Sequence, residues 1–440
     1  MPDSICAMPW INLSMDVDGT SRPCCKFAHL SDESPYQLVK LQDADLEGVW
    51  NSDAMQRLRA DFRRGERPAD CSTCWDEEAV GIRSWRQTFM QDRHVTAQID
   101  FDDVTPASPL ALDLKLSNAC NLKCRICGPV ASSLWLQEQV KVGSEGEVAD
   151  LRANRRLYLS NKITNDESNL ATFRSWVPHL QHLEMTGGEP MFSAENREVI
   201  ELLVAEGAPE QVTLQLTTNA MVIDDRIMRA LDSFQHVSIA LSIDDMGPRL
   251  EYERAPAVWE TVLRNMRTYA ASASTKRAIY VNCSISTLNI WYATEFAEWL
   301  CGSFSEAQIQ LHFNLVHNPR HYQVQNLPEP LKLAVLERLQ AGTVNPAIRR
   351  SVRDQLAELI DFVQGAEADP AAWHEFLRTT AERDAVRGER FASIFPEMWN
   401  EAERLGLTDL PSEPTLSASP VRLLGRRLRG RMAKVTAPSS

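Results

Sequence analysis

Between residues 108 and 325, six short apolar runs alternate with helix-patterned stretches, and this alternation constrains the fold more than any other feature. The runs are LALDLKLS, HLEMTGGEP, VTLQLTTNA, HVSIALSID, IYVNCSIST and IQLHFNLVH. Among the stretches between them are NREVIELLVAEG, DRIMRALDSF, AVWETVLRNMRTYAAS and WYATEFAEWLCG. A strand–helix–strand unit must cross over before its second strand can pair in parallel, so the helix packs on the sheet. The pattern predicts an α/β fold of parallel strands, an open or closed β/α barrel. A polar, helix-prone segment at about 135–173 interrupts the alternation after the first unit and reads as an insertion.

The flanks differ in character. Residues 1–105 are irregular and cysteine-bearing, with two helical patches. Residues 328–410 read as helical, and 411–440 as a flexible tail whose basic segment VRLLGRRLRGRMAK could touch an acidic surface. A length of 440 residues suits two or three domains, and 44% hydrophobic with 24% charged residues is a globular composition. The formal charge of −14 argues against nucleic acid as a general partner. No window approaches the roughly 20 apolar residues of a membrane span. MPDSICAMPW lacks the basic and apolar regions of a secretory signal, so a cytoplasmic location is expected.

Ten cysteines in a long chain of this kind point to metal rather than to a disulfide framework. Cys120, Cys124 and Cys127 have the spacing C-x3-C-x2-C on the loop that follows the first barrel strand. In β/α barrels, chemistry sits on the loops at the strand C-terminal ends. Three thiolates there can hold three irons of a 4Fe-4S cluster and leave the fourth iron open to a ligand. Zinc is disfavoured, because a closed site wants a fourth ligand. Cys6, Cys24, Cys25, Cys71 and Cys74 form a second set, a hairpin and a C-x2-C knuckle, which is metal-binding vocabulary. Cys283 and Cys301 read as buried small hydrophobes.

CNLKCRIC, followed by Gly128, resembles the signature of radical S-adenosylmethionine (radical SAM) enzymes. The resemblance implies a partial (β/α)6 barrel over 108–325 and SAM bound at the open iron. It further implies reductive cleavage of SAM to a 5′-deoxyadenosyl radical, which abstracts hydrogen from a substrate. HLEMTGGEP resembles the loop whose Gly187, Gly188 and Glu189 meet the methionine ammonium group. LQLTTNAM resembles the strand whose Thr217, Thr218 and Asn219 face the cofactor, and SIALSIDDM the one whose Ser242 and Asp244 lie near the ribose and carboxylate. Arg254 stands where relatives often have an arginine for the SAM carboxylate. SIDD replaces the more usual Ser-Ile-Asp-Gly, which bears on the turn at Asp245.

The first cysteine-rich region resembles the twitch or SPASM auxiliary-cluster modules of the same enzymes, in which a hairpin carries Gly-x4-Cys. Gly19 and Cys24 have that spacing, which favours Cys24 over Cys25 as a ligand beside Cys6, Cys71 and Cys74. The module here precedes the barrel instead of following it. The resemblance implies a second, auxiliary 4Fe-4S cluster, with a structural four-cysteine zinc knuckle as the alternative.

The expected substrate is a small molecule, or a sugar or nucleotide, since no peptide-recognition pattern precedes Cys6. A peptide (RiPP) maturase is the alternative of the same chemistry. A non-catalytic iron–sulfur or zinc scaffold or sensor is the alternative of another class, and the motifs from Gly187 to Arg254 weigh against it. The expected partner is a reductant such as flavodoxin or ferredoxin. His312, His317 and His321 near the sixth run are candidate acid/base or substrate-binding groups.

Overall fold

The computed structural model describes residues 1–28, 34–79, 83–143, 146, 148–149, 163–365 and 369–409. Its strands are β1 (Asn12–Met15), β2 (Ser21–Arg22), β3 (Ala111–Leu114), β4 (His182–Met185), β5 (Thr213–Thr218), β6 (His236–Ser242), β7 (Arg277–Ile285) and β8 (Gln310–Leu315). All six apolar runs form strands, β3 to β8. The sheet order is β2-β1-β3-β4-β5-β6-β7-β8. β1 pairs in parallel with β3, β3 with β4, β4 with β5, and β7 with β8, while β1 and β2 form an antiparallel hairpin. The chain is thus α/β with a mostly parallel sheet. β1, the strand-like run of the hairpin that follows Cys6, extends that sheet from the cysteine-rich side, and its pairing with β3 is not a local feature of the sequence.

The middle of the 135–173 insertion, residues 150–162, lies outside the described residues, as does the tail at 411–440. On either side of the insertion's middle stand the helices Ser133–Val142 and Glu167–Trp176. No helix among the described residues is long and apolar enough to cross a membrane.

The chain divides into two compact units. The first comprises Met1–Asn121, Arg156–Ala240 and Ser272–Ile279. The second comprises Leu122–Arg155, Leu241–Ala271 and Tyr280–Ser440.

In the first unit, alternation along each strand sorts side chains between the sheet's two faces. Leu13, Leu112, Leu183 and Leu214 are register partners and are at most 2% exposed. Met15, Leu114, Met185 and Leu216 form the next rung of the same apolar face. Each such side chain contributes about 1.5–3 kcal/mol on burial. The opposite face carries Ser14, Asp113, Glu184 and Gln215 in one rung.

Before β1, Cys6 leads into a short helix, Met8–Ile11. Gly19 closes the β1–β2 hairpin at φ +76°, a conformation that side chains rarely adopt, and its N–H donates to the Asp16 carbonyl at 2.8 Å. Ile5, Trp10, Phe27, Tyr36, Leu58 and Phe62 bury a small core here, with Cys6 inside it and Cys24 and Cys71 against it. Arg59 is fully buried in this unit. It donates to the carbonyls of Pro9, Trp50 and Val104 and lies 4.5 Å over the Trp50 ring, so its charge is solvated by the chain itself.

In the second unit, the helices Glu329–Thr343 and Arg350–Gly365 pack together, followed by Pro370–Arg387 and Pro396–Arg404. Tyr252, Phe376, Phe391 and Phe395 interlock as an aromatic cluster. This cluster sets the C-terminal helices against the segment that carries Arg254.

Candidate active site and iron–sulfur centres

In the first unit, β3 runs into Leu116–Asn121 and so delivers Cys120, which is buried. The Gly187–Glu189 turn after β4 is bonded to this segment. Gly188 N–H donates to the Ser117 carbonyl at 2.9 Å, and Glu189 N–H to the Ala119 carbonyl at 2.8 Å. A Cβ on Gly188 would stand 2.3 Å from the Ala119 oxygen, so the neighbouring loop alone requires glycine there. The Glu189 carboxylate is 1% exposed. It accepts from Met191 N–H at 2.9 Å, from the Thr218 hydroxyl at 2.7 Å and from Asn219 N–H at 2.7 Å. It therefore clamps the turn after β4 to the end of β5. Asn219 Nδ2 donates to Asn121 Oδ1 at 2.8 Å and stands 4.0 Å from the Cys120 sulfur. Thr217 is half-buried and Thr218 buried.

The cysteine loop passes along the chain into the second unit after Asn121. Lys123 N–H donates to the Ala255 carbonyl at 2.6 Å, and Arg125 N–H to that of Glu253 at 2.7 Å. This pairing sets the Cys124 segment against the Arg254 segment. Arg254 donates from Nε and Nη2 to Asp244 Oδ2, each at 2.7 Å, and its Nη1 stands 3.8 Å from the Cys124 sulfur. The Cys124 thiol is brought down to about 7, first by a hydrogen bond with Cys127 and then, against its burial, by the Arg254 charge. A thiol poised in this way is close to the thiolate form that metals bind.

Asp244 Oδ1 accepts from Ser284 N–H at 2.8 Å, and Cys283 lies 3.3 Å from the Asp244 carbonyl. Ser242 ends β6 half-buried. Asp245 is turned inward and pairs with Arg249 at 2.7 Å, which is what the second aspartate of SIDD does in place of a glycine.

The motif reading missed two groups. Glu253 is 4% exposed, its Oε1 has no hydrogen-bond partner among the described residues, and burial with the Asp244 and Asp245 charges drives its carboxyl well up. Its position directly before Arg254 was the available signal. Arg125, between two of the cysteines, donates to Asp384 and Glu389 at 2.5 Å each and lies 3.6 Å over the Tyr252 ring. Its partners lie more than two hundred residues away in sequence, at |i−j| = 259 and 264, so no local pattern could show them. Among the histidines, His312 stacks edge-on against Tyr280 at 5.2 Å. His321 is 3.8 Å from Glu375, with burial pushing it down to about 4, so it is neutral at pH 7.

The second cysteine set lies wholly in the first unit. Burial is the main force raising the thiols of Cys6, Cys24 and Cys71, the Cys24 thiol to about 12. Cys24 and Cys74 add to it at Cys6, and Cys6, Cys24 and Cys74 add to it at Cys71. Burial and neighbouring sulfurs thus keep these thiols protonated, and a bound cation would favour their thiolate forms. Cys25 is exposed, on the other side of the choice made by the Gly-x4-Cys spacing. Among the described residues, no three His, Cys, Asp or Glu side chains already stand in a metal-holding arrangement. The chemistry of the donors, all thiols, fits iron–sulfur ligation at both cysteine sets.

Two stretches of the chain match known domain families. Residues 114–287 match the radical SAM superfamily, and residues 6–75 match SPASM, an iron–sulfur cluster-binding domain. A stretch of 141 residues is 30% identical to GTP 3′,8-cyclase 3 of Mycobacterium bovis and, equally, of Mycobacterium tuberculosis. That stretch is 31% of this chain and 31% of each relative, so the chain spans about a third of the length of the curated relatives it matches. The structure of anSMEcpe with bound AdoMet is similar over 60% of this chain and 62% of that one, at 16% identity and a TM-score of 0.37. Streptococcus suis SuiB bound to precursor peptide SuiA is similar over 75% and 67%, at 13% identity and a TM-score of 0.35. The matched domains are those that use S-adenosylmethionine with a 4Fe-4S cluster and, in the SPASM part, auxiliary iron–sulfur clusters. The chain thus carries a radical SAM domain match at residues 114–287, with a SPASM domain match ahead of it at residues 6–75.

Proposed function

We propose that Cys120, Cys124 and Cys127 hold a 4Fe-4S cluster with one open iron, and that the chain uses it with SAM to take hydrogen from a small polar substrate of sugar or nucleotide type. The observation that carries this reading is the second unit's Arg254–Cys124 contact, a charged guanidinium 3.8 Å from a buried thiol of the three-cysteine motif. When bound, the cluster and SAM supply reductive cleavage of the sulfonium and a hydrogen-abstracting 5′-deoxyadenosyl radical. Arg254, fixed by Asp244, offers positive charge for the SAM carboxylate. The Gly187–Gly188 backbone receives the methionine ammonium group, while Glu189 holds that turn to Thr218 and Asn219. Ser242 and Asp244 orient the ribose side. Cys6, Cys24, Cys71 and Cys74 hold the auxiliary cluster, which would take up the electron left on an oxidised substrate. The sugar or nucleotide class is supported by the 141-residue likeness to GTP 3′,8-cyclase 3. The reductant would be a flavodoxin- or ferredoxin-type donor.

The test is anaerobic reconstitution with iron and sulfide, followed by SAM and dithionite. Formation of 5′-deoxyadenosine and methionine is the expected result. SAM left intact by protein that holds its full iron complement would reject the reading.

A further inference from the structure

The face of the first unit's sheet opposite the leucine rungs is polar across four strands. Ser14, Asp113, Glu184 and Gln215 are register partners in a single rung. Parallel sheets are normally apolar on both faces, because both are covered by packing. Here one face is packed, with Leu112, Leu183 and Leu214 almost fully buried, while Asp113, Glu184 and Gln215 between them stay half-buried. Such a face does not serve packing and is suited to a polar occupant.

The rung's side chains are held in place. Ser14 Oγ donates to Asp113 Oδ2 at 2.7 Å, and Gln215 Nε2 donates to Glu184 Oε1 at 3.0 Å. The nearby cation Lys115 is taken by Asp16 at 2.6 Å. Like-charged groups directly opposite one another on paired strands are unfavourable. Burial, and then Asp113, push Glu184 up to about 7. The Lys115 charge and the Gln215 hydrogen bond offset this only in part. The strands that bear them run on into Leu116–Asn121 and Gly187–Glu189, and Gln215 stands on the strand that ends at Thr218. Those are the segments assigned above to the cluster and to SAM.

We infer that this rung is a substrate-recognition surface. It takes a small polar molecule through an N–H donor group, which Asp113 and Glu184 receive while Ser14 and Gln215 fix the orientation of the two carboxyls. The donor is a protonated amine or guanidinium, or the neutral N–H edge of a base. The inference rests on the radical SAM reading for the reaction served, but its binding step stands apart from that chemistry.

The test is titration calorimetry on the anaerobically reconstituted, SAM-loaded protein with three probes: agmatine for a cation, guanosine for a neutral N–H edge, and butyrate as a carboxylate control. Agmatine or guanosine should bind and butyrate should not, and the better of the two identifies the kind of donor. Asp113→Asn and Glu184→Gln should each weaken that binding about tenfold or more, with SAM affinity and Tm not reduced. The inference is overturned if neither probe binds better than butyrate, or if binding survives both substitutions. It is also overturned if both variants lose Tm, which would give the pair to the fold. Failure of wild type to bind SAM would count against the radical SAM reading and leave the probe result to stand by itself.

Discussion

Arg254 grips Asp244 with two nitrogens at 2.7 Å and offers the third to the Cys124 sulfur at 3.8 Å. One cation thus spans a carboxylate and a cluster-motif thiol. Arg254→Ala removes a charge-assisted contact of about 1.5–3 kcal/mol, so SAM affinity should fall about tenfold or more. Arg254→Lys keeps the charge but loses the fork and should recover only part of it. Calorimetric SAM titration checks both variants, and unchanged affinity in the two would remove Arg254 from the site.

Arg125 ties the cysteine loop to the C-terminal helices through Asp384 and Glu389. Arg125→Ala leaves two partly buried carboxylates without their cation and opens a gap over Tyr252. Breaking a buried pair costs about 3 kcal/mol or more, so the denaturant midpoint should drop and the cluster should be lost faster to chelator. A midpoint equal to wild type would mean that the helices do not support the loop.

The parts of this architecture legible in the sequence were the local ones. Period-2 runs such as VTLQLTT marked the strands, and the tight C-x3-C-x2-C spacing marked the cysteine loop. β1 was legible as one arm of the hairpin after Cys6, but its place in the sheet was hidden, because Asn12 pairs with Ala111, about a hundred residues on. The Arg125–Asp384 pair was hidden for the same reason. The polar rung was hidden differently. Alternation shows that Asp113 and Leu112 face opposite ways, but only the register shows that Asp113 and Glu184 are neighbours. Gly188 was legible as a residue type and is explained by Ala119, a neighbour on another loop.

Glu184 makes stability depend on pH. Its folded value, about 7, lies above the ordinary carboxyl range, chiefly through burial and then Asp113. A raised carboxyl contributes stability that is fully present below its unfolded value and is lost as pH rises through the folded one. Glu184→Gln removes that dependence, so its Tm relative to wild type should rise from about pH 5 to about pH 8. Parallel Tm profiles would contradict the assignment.

The N-terminal cysteines should hold iron independently of the barrel loop. After anaerobic reconstitution, the variant with Cys120, Cys124 and Cys127 all changed to Ala should keep about four irons and a reducible spectrum. Adding Cys71→Ala and Cys74→Ala should remove them. Zinc without iron in the first variant would make the module a structural knuckle.

The central claim is that Cys120, Cys124 and Cys127 together hold the cluster that cleaves SAM. The most direct measurement is 5′-deoxyadenosine released from SAM under dithionite, compared between wild type and the variant in which all three are alanine. Wild type should release it and the variant should release none while its N-terminal iron remains. Release by the variant at the wild-type rate would contradict the claim.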